Sequence, residues 1–170
     1  MTGQVEWAGK YIRIVRDGTW EYVERCGGVQ AVVILAEHDG KVVLIEQVRV
    51  PLGHRKCLEL PAGLVGDEDP NATVEGTAVK ELEEETGFTA DRIEVIGQFY
   101  SSPGMVAEGF TLVRAHGLRR IGEGGGTEHE QIEVHLVSRA EIPAFVERKR
   151  AEGVAIDVKL LLLLASSILN

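Results

Sequence analysis

The stretch Glu59-Leu60-Pro61-Ala62-Gly63, followed after a short acidic segment by Ala78-Val79-Lys80-Glu81-Leu82-Glu83-Glu84-Glu85-Thr86-Gly87-Phe88, decides how this 170-residue chain is read. From about Asn71 to Thr86 the apolar residues Ala78, Val79 and Leu82 fall on one helical stripe, and Gly87 stands where a helix stops. Within that helix Glu81, Glu84 and Glu85 are related by i, i+3 and i+4, which gathers three carboxylates on one surface. Like charges at that spacing cost an isolated helix roughly 0.2–0.5 kcal/mol per pair. They also stand near the C-terminal end, where the macrodipole disfavours anions. A solvated acidic face is the plain reading; a hard divalent cation taking oxygen ligands is the chemical one, because it turns the repulsion into coordination.

Charge follows the same segment. The chain carries 27 acidic and 18 basic residues, a net charge of −9, and residues 66–88 hold eight of the acids against the single base Lys80. An acidic chain of this kind is a poor general nucleic-acid binder, since phosphate neutralisation needs basic stripes. No secretory leader is read in the first ten residues. The apolar run Leu160 to Ala165 is far shorter than the ~20 residues of a membrane span. Cys26 and Cys57 show no metal-ligand spacing and suggest no disulfide framework. A cytoplasmic protein with neither nucleic-acid nor membrane partner is expected.

Working outward, Asp17-Gly18 separates Tyr11 to Val15 from Trp20 to Arg25 as a hairpin. The β-branched runs Val29 to Ala36 and Lys41 to Val50 read as buried central strands. A strand at Cys57 to Leu60 is expected to end at Pro61-Ala62-Gly63. Further strands are read at Arg92 to Gln98, Phe110 to Ala115 and Ile132 to Val137, and helices at Glu141 to Arg150 and Asp157 to Ile168. Gly122 to Thr127 reads as a flexible loop.

The run Lys80 to Phe88 after Gly63 resembles the box of the Nudix hydrolases: a glycine, a glutamate, then arginine-glutamate-apolar-x-glutamate-glutamate-x-glycine-apolar. Two departures stand out. Lys80 replaces the usual arginine, and Gly63 lies three residues too far from it; counted from Gly66 the spacing fits, but the box glutamate then falls on Ala72. Neither Glu68 nor Glu75 is given a role.

The resemblance implies an α/β fold, a Nudix α/β/α sandwich with a mixed β-sheet. It further implies an N-terminal antiparallel β lobe at 1–27, for dimerisation and adenine contact, ahead of a hydrolase domain at 28–170. It makes Glu81, Glu84, Glu85 and the carbonyl of Ala62 ligands of two or three Mg²⁺ ions, with Mn²⁺ as a substitute. Glu84 and Glu85 are thereby part of the catalytic set.

The flanks resemble the ADP-ribose pyrophosphatase branch. Pro103 stands 16 positions after Gly87, and Glu46-Gln47-Val48-Arg49 matches a strand end whose arginine contacts diphosphate. In Thr19-Trp20-Glu21-Tyr22-Val23-Glu24-Arg25 the resemblance gives Trp20 adenine stacking, Glu21 a base contact and Arg25 a phosphate. Tyr11 matches a second stacking aromatic. The loop before Ile132 offers Glu128, with Glu130 as the second choice, as general base, and Glu108 is a weaker substrate contact. The implied reaction is hydrolysis of ADP-ribose to AMP and ribose 5-phosphate by a homodimer with exchanged N-terminal lobes. A broader nucleoside diphosphate-sugar hydrolase and a non-catalytic ADP-ribose sensor remain as alternatives.

Overall fold

A computed structural model describes residues 3–67, 69–127 and 130–169. The strands in chain order are β1 (Gln4–Ala8), β2 (Ile12–Asp17), β3 (Trp20–Arg25), β4 (Gln30–His38), β5 (Lys41–Arg49), β6 (Arg55–Glu59) and β7 (Ala62–Val65). After helix α1 (Val74–Thr86) come β8 (Phe88–Thr89), β9 (Arg92–Tyr100), β10 (Gly109–His116), β11 (Arg119–Arg120) and β12 (Ile132–Ser138). Helix α2 (Ile142–Ala151), the short β13 (Ala155–Ile156) and helix α3 (Leu161–Leu169) complete the chain.

β4 and β5 are a hairpin that pairs only next to its turn, through Glu37 with Val42 and His38 with Lys41. Beyond those two pairs the strands part. β4 takes β7 antiparallel on one side and β10 parallel on the other, whereas β5 takes β6 and β12, both antiparallel. The resulting eight-stranded mixed sheet is covered on both faces. Val32, Ile34, Ala36, Val43, Val113 and Ala115 pack under Ala78 and Leu82 of α1 and against Phe88. Val33, Leu35, Val42, Leu44 and Leu58 pack under Ile142, Phe145 and Val146 of α2 and Leu164 of α3. The alternation of inward residues along β4 and β5 thus feeds two helical layers, giving the expected α/β/α sandwich with a mixed sheet. β1, β2 and β3 make a separate antiparallel sheet in that order.

Three expectations need correction. The strand expected to end at Pro61-Ala62-Gly63 does end at Glu59, but Ala62 and Gly63 open a new strand, β7, whose four residues pair with β4. Helix α1 starts at Val74 rather than near Asn71, because Thr73 caps it: its hydroxyl accepts from the Gly76 N–H at 3.0 Å, a contact worth about 1 kcal/mol. The last helix starts at Leu161, after a 3₁₀ turn over Val158–Leu160.

Candidate active site

Helix α1 owes its position to Leu82 and Ala78, both fully buried; burying a leucine contributes roughly 1.5–3 kcal/mol. Docked on that stripe, the helix turns Glu81, Glu84 and Glu85 toward β7 and β5. They line a cleft of about 380 Å³ together with Gln47, Arg49, Ala62, Gly63, Asp67, Asp69, Lys80, Thr127 and Glu130. The acidic lining extends well beyond the three helix carboxylates.

Glu85 is the most enclosed of the three, only 4% exposed. Its Oε2 accepts the Ala62 N–H at 3.0 Å, tying the helix to the first residue of β7. Burial above all pushes its carboxyl up to about 8, and the charges of Glu81 and Glu130 push the same way; the Ala62 N–H and Arg49 only partly oppose them. Glu81 lies against Gly63 so closely that a Cβ there would collide with its carboxylate, so the absence of a side chain at Gly63 makes room for the Glu81 side chain. Glu84 stands 3.8 Å from Lys80, one turn earlier. Glu83 does not line the cleft.

This donor set fits a hard divalent cation. The side-chain oxygens of Glu81, Glu84 and Glu85 are all carboxylate, one is held in a site that raises its energy when ionised, and an added positive charge relieves both the burial penalty and the mutual repulsion. A second carboxylate and histidine group, Glu46, Glu133 and His135, has its ligand atoms within 4.8 Å of one another. It lies on the other side of β5, facing α2, and Glu46 already meets Lys56 at 2.9 Å and Lys149 at 2.8 Å. Two ammonium groups there oppose a cation.

The glycine run read as flexible is pinned instead. The N–H groups of Gly125 and Gly126 donate to the carbonyls of Glu85 and Glu84 at 2.9 and 3.0 Å, and those of Ile121 and Gly122 to the Gly87 carbonyl. These donors satisfy the last carbonyls of α1, the job for which the sequence supplies no lysine or arginine. Only glycine permits the approach: Gly87 (φ 73°) and Gly124 (φ 73°) are left-handed, and a Cβ on either would strike the other segment's backbone. The same loop leads to Glu130, whose Oε2 accepts from the Thr127 N–H and hydroxyl, both at 3.1 Å. Glu128, the first choice for the base, lies outside the described residues.

Beyond the cleft, cavities follow one another across the molecule. Arg49, Ala62 and Gly63 also line a neighbouring cavity of about 410 Å³, whose far side holds Arg25, Glu108 and Phe110. Arg25 and Glu108 pair directly through Nε and Oε1. A further cavity runs on from these two to Ala107, and Ala107 borders a last one lined by Trp20, Tyr22 and Pro103. Ala107 is held there by its N–H donating to the Val23 carbonyl at 2.8 Å. Arg25, Arg49 and Glu108 therefore line adjoining cavities, whereas Trp20 and Pro103 line a separate cavity toward the turn end of β3 that shares only Ala107 with them.

Tyr11 and Glu21 line none of these cavities. Tyr11 precedes β2 at the open end of its hairpin, bonded through its carbonyl to Cys26, whereas Trp20 pairs with Asp17 at the turn. Six residues of strand separate the two ends, about 20 Å at ~3.3 Å per residue. Within one chain Tyr11 and Trp20 cannot close on the same base. Glu21 is exposed and paired in register with Arg16. Sequence reading also missed Glu59, a buried acid that grips Arg49; a glutamate at a strand end gives no periodic sign of burial.

Box, carboxylate helix and two-sided mixed sheet together define the Nudix class of fold. The NUDIX domain family matches residues 28–158, and the chain belongs to it. Its relatives differ in what they are named for. It is 33% identical over 132 residues to the methanol dehydrogenase activator of Bacillus methanolicus, covering 76% of this chain and 68% of that protein. It is 48% identical over 80 residues to the ADP-ribose pyrophosphatase of Bacillus subtilis, covering 46% of this chain and 40% of that one. It is 36% identical over 147 residues to the GDP-mannose pyrophosphatase of Cronobacter sakazakii, covering 81% and 72%. In fold it is similar to a solved ADP compounds hydrolase, with a TM-score of 0.66 at 20% identity over 86% of this chain and 81% of that one. No helix among the described residues is long and apolar enough to cross a membrane.

Proposed function

We propose that the chain is a Mg²⁺-dependent hydrolase that cleaves the diphosphate of ADP-ribose, giving AMP and ribose 5-phosphate. The observation that carries this reading is the cleft of carboxylates, which shares Arg49 with a cavity that holds Arg25, with the exposed Trp20 beside Pro103 in a separate cavity toward the turn of the same hairpin. An adenosine diphosphate linked to a sugar presents matching chemistry, a flat base, two phosphates and the bond to be broken.

Glu81, Glu84, Glu85 and the Ala62 carbonyl would hold the cation, which neutralises the diphosphate and makes water a stronger nucleophile when bound. The residues of the chain do the rest. Arg25 and Arg49 orient phosphate oxygens by charge-assisted hydrogen bonds. Trp20 stacks on the base, a contact worth on the order of 1–3 kcal/mol. Glu130 or Glu128 takes the proton from the attacking water. Water adds to one phosphorus, the bridging oxygen leaves with the other phosphate, and no covalent enzyme intermediate is needed. Because Tyr11 and Trp20 are at opposite ends of one hairpin, a two-sided adenine clamp calls for a second copy, so a homodimer with the 1–27 lobes exchanged belongs to the proposal. A cytoplasmic location does too.

The 36% identity to a GDP-mannose pyrophosphatase over most of the chain favours one second reading, a broader nucleoside diphosphate-sugar hydrolase. A non-catalytic sensor is disfavoured by the carboxylate set, which binding alone does not need. Initial rates of nucleoside monophosphate release from ADP-ribose, ADP-glucose and GDP-mannose decide between these readings. The proposal expects the highest kcat/KM for ADP-ribose; equal rates for all three would favour the broader enzyme.

A further inference from the structure

The Glu59 carboxylate, at the end of β6, is 3% exposed and belongs to neither apolar layer. Strand register sets Glu59 opposite Ile45 and Arg49 opposite Arg55. Ile45, Gln47 and Arg49 share a face, so Arg49 and Glu59 begin four positions apart along the paired strands and can meet only if the arginine lies back over the sheet. They do meet: Arg49 Nε donates to Oε1 and Nη2 to Oε2, both at 2.6 Å. A guanidinium has five donors in one plane, and this fork uses two of them. The others remain at the boundary that Arg49 forms between the carboxylate cleft and the next cavity.

Two other positions would attract or displace that side chain without Glu59. Arg55, directly opposite, repels it toward solvent. Glu84, which lines the same cleft as Arg49, would draw it among the cation-binding carboxylates. We propose that Glu59 is a positioning residue: it fixes the plane of the Arg49 guanidinium so that its free donors meet a substrate diphosphate between the two cavities. The pair has no net charge, so its hold on the anion comes from directed N–H groups rather than bulk attraction. This rests on the reading of the cleft as a nucleoside diphosphate site.

The test measures binding of ADP and of adenosine by calorimetry with Mg²⁺, for the wild type, Glu59→Gln, Arg49→Lys and the double variant, alongside kcat and KM for ADP-ribose. Glu59→Gln should weaken ADP about tenfold, the scale of one charge-assisted hydrogen bond. It should leave adenosine within about twofold, because the phosphate contact alone is disturbed. KM should rise more than kcat falls, and in the Arg49→Lys background Glu59→Gln should add nothing further. Unchanged ADP affinity, equal losses for ADP and adenosine, or the same loss in both Arg49 backgrounds would overturn the proposal. Glu59→Asp, which keeps the charge but shortens the reach, carries the same comparison if the glutamine variant does not fold. A wild type that neither binds ADP nor cleaves ADP-ribose would refute the reading of the site itself; one that does both while Glu59→Gln is indifferent would refute only the role of Glu59.

Discussion

Glu85→Gln should make the metal-free protein more stable. The wild-type carboxyl, 4% exposed, has its pKa raised from 4.5 to about 8. At pH 7 it is ionised in the unfolded chain and only about one-tenth ionised in the native state. A raised carboxyl pKa contributes stability that is fully present below the unfolded value and is lost as pH rises toward the folded one. Relative to a neutral side chain, the cost at pH 7 is therefore about 3 kcal/mol, 2.5 pH units above 4.5 at ~1.36 kcal/mol each, and under about 0.5 kcal/mol at pH 4.5. Glutamine keeps the shape, and its carbonyl can accept the Ala62 N–H that Glu85 now accepts. Thermal unfolding in EDTA at pH 7 should show the variant higher by roughly 6 to 12 °C for a domain of this size, with the gap closing toward pH 4.5. Added Mg²⁺ should raise the wild type much more than the variant. A variant less stable than the wild type at pH 7 in EDTA, or a gap that does not change with pH, would refute the argument that burial of this charge is a reserve for cation binding.

Other outcomes follow from the same geometry. Divalent-cation affinity should rise as pH increases toward about 8, and binding near pH 7 should release close to one proton, measured by calorimetry in buffers of different ionisation enthalpy. Turnover should be lost in Glu84→Gln and Glu85→Gln but nearly unchanged in Glu83→Gln, which stands outside the cleft; equal rates for all three would contradict the assignment. Gly124→Ala forces a side chain against the Thr86 backbone at a left-handed φ, and should lower unfolding free energy by about 2 kcal/mol in urea titration.

The carboxylate helix was legible because its signals are local: an apolar stripe, a C-terminal glycine and three acids at helical spacing. The β4 and β5 runs announced themselves by β-branched residues filling two core layers. What escaped depends on partners far along the chain. Four residues after Pro61 cannot look like a strand until β4 lies beside them. A glycine run has no side chains to announce that its N–H groups cap another element, so Gly122 to Thr127 reads as a flexible loop although Gly125 and Gly126 hold the end of α1. Glu59 looked like one acid among many, and only the strand register brings it to Arg49. Tyr11 and Trp20 are paired as stacking aromatics only by resemblance, and an antiparallel ribbon carries them to opposite ends of one hairpin.

The most direct measurement is AMP and ribose 5-phosphate formation from ADP-ribose by the wild type with Mg²⁺ and with EDTA. The account predicts equal amounts of the two products, catalytic turnover with the metal and none without it. Tight binding of ADP-ribose with no product in the presence of Mg²⁺ would contradict it, and would leave the carboxylate helix as part of a binding site.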